Sequence, residues 1–166
     1  MLENASRTIK AGKILISVLA ICVFISMCCG CAKDTDCTYL YKTRTGETVE
    51  VGLDVSGTGY KLDAITDEFF IMHHDTEIIR GFVRSAESID TLRLSIRNDA
   101  GSEMLKDSGK ELRWISYDPD INAMEYSALL RISDKTCVLM SGVISDKATE
   151  KDIENVIKKV SVRTIP

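Results

Sequence analysis

From Ile14 to Cys29 every position is apolar or small, ILISVLAICVFISMCC, after a polar and net basic start carrying Arg7, Lys10 and Lys13. A basic start, an apolar run and small residues at its end form an export signal. As a helix these residues would span about 24 Å, short of the ~30 Å hydrocarbon core, so cleavage is expected rather than a permanent span. An uncleaved anchor would need local thinning of the bilayer.

Beyond Cys37 the period changes to two. Val49, Val51, Leu53 and Val55 alternate with Thr48, Glu50, Gly52 and Asp54, as in a half-buried strand. Thr38 to Thr43 is its expected partner through Arg44-Thr45-Gly46-Glu47, where glycine can take the positive φ of a tight turn. Ser56 to Gly59 then forms a corner. Glu68–Met72 and Glu77–Val83 are apolar runs on either side of His73-His74-Asp75-Thr76 and predict a second hairpin. Residues 86–108 carry both periods, helical at Ile89, Leu92 and Ile96, alternating at Leu92, Leu94 and Ile96. A helix over part of them is expected, broken at Asn98 to Gly101. Glu111–Tyr117, Glu125–Ser133 and Thr136–Ile144 are β-branched and aromatic, parted by Asp118-Pro119-Asp120 and Ser133-Asp134-Lys135, and predict an antiparallel meander. A terminal helix follows, with Thr149 and Asp152 as a capping box and Ile153, Val156, Ile157 and Val160 on one face. That stripe must be buried, and the sheet is the available apolar surface.

The predicted fold is therefore α+β, an antiparallel β-sheet built of hairpins with a C-terminal amphipathic helix packed on it. Residues 1–30 are read as the signal, 31–37 as a tether and 38–166 as one exported domain. The chain of 166 residues is 45% apolar and 28% charged, enough apolar surface for a single core. Without residues 1–30, which hold Arg7, Lys10, Lys13 and Glu3, 18 basic residues face 24 acidic ones, a net charge of −6. That balance argues against nucleic acid as a partner, because such binding needs a basic face to neutralise phosphates.

The junction Gly30-Cys31 resembles the lipobox of bacterial lipoproteins, in which a small residue precedes a cysteine that is acylated and becomes the new N-terminus. Cys28 stands at the third position before it, where lipoproteins usually carry Leu. The resemblance implies lipidation of Cys31 and a membrane partner reached through that lipid, on the extracytoplasmic face of the cell membrane. Two acyl chains hold a protein stably where one does not, each buried methylene contributing ~0.8 kcal/mol. Cys37 and Cys137 are then the cysteines left beyond Cys31. In an oxidising compartment they invite a disulfide closing a loop of about 100 residues, worth on the order of 4.7 kcal/mol in the chain-entropy model. The other reading has Cys37 in the tether and Cys137 as a small buried hydrophobe. With its hairpin sheet and amphipathic helix, the exported part is similar in element order to the PsbP-like group. That resemblance implies an antiparallel sheet between helical layers and a binding or assembly-assisting role.

Candidate chemistry is sparse. His73, His74 and Asp75 have metal-ligand side chains, but neighbours in a strand point to opposite faces, and a solvated turn is the competing reading. Trp114 and Tyr117 could form a binding anchor if exposed, or Trp114 could be core. Arg80 and Arg84 share a strand face with Ile78 and Phe82; in a groove they would suit an anionic ligand, otherwise they snorkel at an edge. Gly57-Thr58-Gly59 lacks the pattern of a phosphate-cradling loop, no G-x-S-x-G elbow is present, and no cofactor is called for. The expected role is a non-catalytic binding or assembly module with a protein partner in the envelope. The alternatives are an envelope hydrolase or metal-dependent enzyme using His73 or His74, and an accessory or sensor lipoprotein of a transport or signalling system.

Overall fold

The computed structural model describes residues 37–54, 57–65 and 68–166, with the side chains of Cys37 and Ser88 not included. The leader, Cys31 and most of the tether lie outside these residues, as does Val55. The described chain is α+β. Ten strands run β1 Cys37–Lys42, β2 Thr48–Leu53, β3 Tyr60–Ile65, β4 Glu68–His73, β5 Thr76–Ser85, β6 Ser102–Asp107, β7 Glu111–Asp118, β8 Ala123–Arg131, β9 Thr136–Val143 and β10 Val160–Ile165. Helix α1 covers Ile89–Asn98 and α2 covers Glu150–Lys158. All strand pairs are antiparallel, in a three-stranded sheet ordered β1-β2-β10 and a seven-stranded sheet ordered β3-β4-β5-β9-β8-β7-β6.

The predicted hairpins are present, and the register follows their alternation. Tyr41 pairs with Val49 and Tyr39 with Val51, so the apolar face of β2 turns inward; Val49, Val51 and Leu53 are buried. The β4–β5 turn is His74-Asp75, both at positive φ (46° and 62°), a conformation His and Asp tolerate better than most side chains. Residues 86–108 resolve their two periods in sequence, helix first and strand β6 after it.

Two expectations need correction. The terminal helix stops at Lys158, and Val160 belongs to strand β10, which pairs with β2 rather than extending the helical stripe. Lys159 ends the helix, its N–H donating to the carbonyls of Val156 and Ile157. The sequence alternation Val160, Val162, Thr164 against Ser161 and Arg163 carries this strand. The helix start is as expected: the Thr149 hydroxyl accepts from the Asp152 N–H at 3.3 Å, and the Asp152 carboxylate accepts from the Thr149 N–H at 3.0 Å. Strand β3, likewise unanticipated, is an edge with one half-buried row, Tyr60 and Leu62.

Strands β8 and β9 are buried on both faces. Tyr126, Ala128, Val138 and Met140 belong to one core with Val49, Phe69, Ile71, Ile153 and Ile157. Ser127 is also buried, while Leu129 and Cys137 join a second core with Ala86, Ile89, Ile96, Leu112 and Trp114. Arg113 connects β7 to α2, its Nη1 donating to Glu154 Oε1 at 2.7 Å while its Nε donates to Glu111 Oε1 at 2.5 Å.

Within the first core Phe69 lies directly across from Gly81, and a Cβ on Gly81 would sit 2.0 Å from the Phe69 ring. The ring is fully buried. Gly81→Ala should destabilise the domain by about 1–3 kcal/mol through overpacking. Ile157→Ala should cost about 2–5 kcal/mol through loss of buried volume. Urea unfolding of both variants tests these values; unchanged midpoints would show that neither position is packed as described.

Candidate functional site

Three separate segments converge on one cleft. The end of β1 and the following turn supply Tyr41, Thr43, Arg44 and Thr45; the end of β5 supplies Val83, Arg84 and Ser85; Lys135 and Thr136 come from the start of β9. The cleft encloses about 300 Å³.

Local chemistry sets these segments. The β1–β2 turn closes with the Thr43 N–H donating to the Glu47 carbonyl at 2.8 Å, and Gly46 takes φ 87° within it. The Thr43 hydroxyl donates to the same carbonyl at 3.0 Å and contacts the Thr45 hydroxyl at 2.8 Å. In the β8–β9 turn the Ser133 hydroxyl accepts from the N–H groups of Lys135 and Thr136, both at 3.1 Å. The carboxylate of Glu47 then ties the two turns together: its Oε2 accepts from Ser133 Oγ at 3.0 Å and from Thr136 Oγ1. The Thr136 hydroxyl holds the Glu47 carboxyl below its ordinary pKa against the opposing effect of desolvation, with further help from Ser133 and the charge of Lys135.

Arg44, Arg84 and Lys135 thus line one cleft, and among the described residues no carboxylate forms an ion pair with any of them. The Arg84 guanidinium lies 4.9 Å from the Phe82 ring centroid, a cation–π contact that leaves its donors available. Tyr41 is half-buried and its phenol has no hydrogen-bond partner among the described residues.

The sequence candidates separate. Arg84 lines the cleft, whereas Arg80, four residues earlier on the same strand face, is occupied by Glu77 at 3.1 and 3.2 Å and rests over Phe70. Trp114 is not an exposed anchor: it is 6% exposed within the second core, while Tyr117 is 47% exposed and donates its O–H to Asn122 Oδ1 at 2.5 Å. Their odd spacing of three puts the two side chains on opposite faces of β7. The turn does bring His73 and His74 together, with ring centroids 4.2 Å apart and Tyr60 4.6 Å from His73. Among the described residues no three of His, Cys, Asp or Glu gather as a metal-ligand set. The expected Cys37–Cys137 bridge involves the Cys37 side chain, which lies outside the described ones. Cys137 is a free, fully buried thiol on β9 in the second core, its S–H directed at the carbonyls of Arg84 (3.6 Å) and Ser85 (3.4 Å), whereas Cys37 starts β1 in the other sheet.

Arg44, Glu47 and Lys135 escaped the sequence reading because they sit in turns, whose local pattern shows only a reversal, and Thr136 because it opens a strand. Their assembly depends on β5 pairing with β9 across some fifty residues, Arg84 opposite Cys137 and Ser85 opposite Thr136.

Two outcomes are expected. A carboxyl with a lowered folded-state pKa contributes stability that is present above its ordinary value of 4.5 and is lost as pH falls through the folded value. The difference in thermal stability between the protein and Glu47→Gln should therefore be constant near neutrality and shrink in acid below pH 4.5; a difference that ignores pH removes the carboxylate link. Burial pushes the Cys137 thiol up to about 11, against the opposing charges of Arg84 and Arg131. Site-resolved alkylation at mildly alkaline pH should leave Cys137 unmodified in the native protein and modify it on unfolding.

No family model, curated protein or solved structure matches the chain, and its function is read from its own residues.

Proposed function

We propose that this chain is a lipoprotein, exported by residues 1–30, acylated on Cys31 and held at the extracytoplasmic face of a cell membrane. In this reading residues 38–166 act as a non-catalytic binding or assembly module. The anchor is supported by the basic start, the apolar run Ile14 to Cys29 and the small residue before Cys31. The binding role is carried by one observation: three cations from separate segments line an open cleft without a described carboxylate to pair them. A cleft lined by one sign of charge raises the local concentration of counter-ions, which supports an anion as its ligand.

The likeness in element order to the PsbP-like group belongs to the same proposal. It is supported by the alternation of β8 and β9 between a core containing α2 residues and one containing α1 residues. Packing of α2 on the large sheet is supported by Glu154 bonding to Arg113 of β7 and by Ile153, which would stand 3.2 Å from a Cβ at Gly142 of β9.

Cys31→Ser should leave the precursor unprocessed and unlabelled when cells are fed a fatty-acid analogue. Labelling that survives the change would place the lipid elsewhere or remove it from the reading.

A further inference from the structure

We propose that the cleft lined by Arg44, Arg84 and Lys135 binds a phosphate group, carried either by a soluble phosphomonoester or by a lipid headgroup. This names the ligand of the binding module above and rests on that reading.

The donor set selects the anion. A carboxylate is planar and one guanidinium fork satisfies it. A phosphate monoester carries about two negative charges on three oxygens disposed around phosphorus, and draws on donors arriving from different directions. Here the cations come from the β1–β2 turn, the end of β5 and the start of β9, so they approach from separate parts of the fold. Arg84 has its guanidinium over the Phe82 ring, a contact that helps to hold it in place. Tyr41 adds an O–H without a described partner and an aromatic wall, and Val83 adds apolar lining for the group that bears the phosphate.

Glu47 is the acid that senses Lys135, and its presence so near needs an account. Its Oε2 is engaged by the hydroxyls of Ser133 and Thr136, and no ion pair forms between it and any of the three cations. The carboxylate therefore builds the site by joining its two turns, while the cations stay available. The cleft volume of about 300 Å³ exceeds what a bare phosphate needs and falls at the small end of ligand pockets.

The test uses the full chain in detergent micelles, titrated calorimetrically with inorganic phosphate and with glycerol 3-phosphate. Saturable binding is expected. It should weaken by about tenfold or more in Arg84→Gln/Lys135→Gln, the order expected when charge-assisted hydrogen bonds are removed. Arg44→Gln, in an exposed turn, should weaken it too and covers the case that the double variant fails to fold. Arg80→Gln, outside the cleft, should bind as the parent does. Doping the micelles with phosphatidic acid, a lipid phosphomonoester, identifies the source, with the diester phosphatidylglycerol as the control for surface charge: an apparent Kd for phosphate raised by phosphatidic acid beyond the control means that a headgroup enters the cleft, and equal values mean a soluble monoester. Absence of saturable binding by the folded parent, equal binding by the cleft variants, or equal loss in Arg80→Gln overturns the proposal. Cys31→Ser protein should bind phosphate as the parent does, so a failed anchor and a failed ligand give different results.

Discussion

Burial of both faces of β8 and β9 is the constraint around which the domain is arranged. Along β8, Tyr126 and Ala128 enter one core while Ser127 and Leu129 point the other way and are buried too; on β9, Val138 and Met140 alternate with Cys137. A sheet of this size could leave one face in water, as antiparallel sheets commonly do. Here it cannot, because each face carries apolar side chains that must be covered. Ile89 and Ile96 of α1 belong to the core on one side; Ile153, Val156 and Ile157 of α2, with Val49, Val51 and Leu53 of β2, belong to the core on the other.

That second cover explains the arrangement of the chain ends. Strand β2 sits between β1 and β10, so the first described strand and the last both pair with it. The small sheet thus depends on a contact between residues more than a hundred positions apart, Thr48 with Ile165 and Leu53 with Val160. Glu50 strengthens the same seam by accepting from Arg163 Nε at 2.7 Å. The cleft lies where the turn of this small sheet meets the ends of β5 and β9, and the Glu47 carboxylate spans that meeting point. Fold and candidate site therefore share one feature: the small sheet must close on the large one for either to exist.

Local patterns made much of this legible. The alternation at Val49, Val51 and Leu53, the turn glycine Gly46 and the capping pair Thr149 and Asp152 each act over a few residues, and each appears where the sequence places it. What escaped is what local pattern does not encode. Val160 fits a helical stripe and an alternating strand equally well, and only pairing with β2 decides between them. Tyr60 to Ile65 is an edge strand, half-buried on one side, so its hydrophobic signal is diluted. Trp114 and Tyr117 suggest a pair by proximity, whereas the strand geometry parts them. Arg84 was visible as an arginine on an apolar strand face, but its companions Arg44 and Lys135 belong to turns that meet it only through tertiary structure.

For the proposed phosphate ligand, charge sets which anions the cleft would admit. The chain beyond residue 30 carries six more acids than bases, so an extended polyanion approaching the surface meets repulsion over most of it. Nucleic acid binding would require a basic face broad enough to release many counterions. A single phosphate group needs only the local potential of Arg44, Arg84 and Lys135, whose reach at physiological ionic strength is about 8 Å. The one carboxylate that joins the turns beside them, Glu47, is held in hydrogen bonds to Ser133 and Thr136. If the cleft takes a phosphate as proposed, a confined basic site on an acidic domain would discriminate by size of the anion as well as by its sign, favouring a small ligand or one headgroup over a charged polymer.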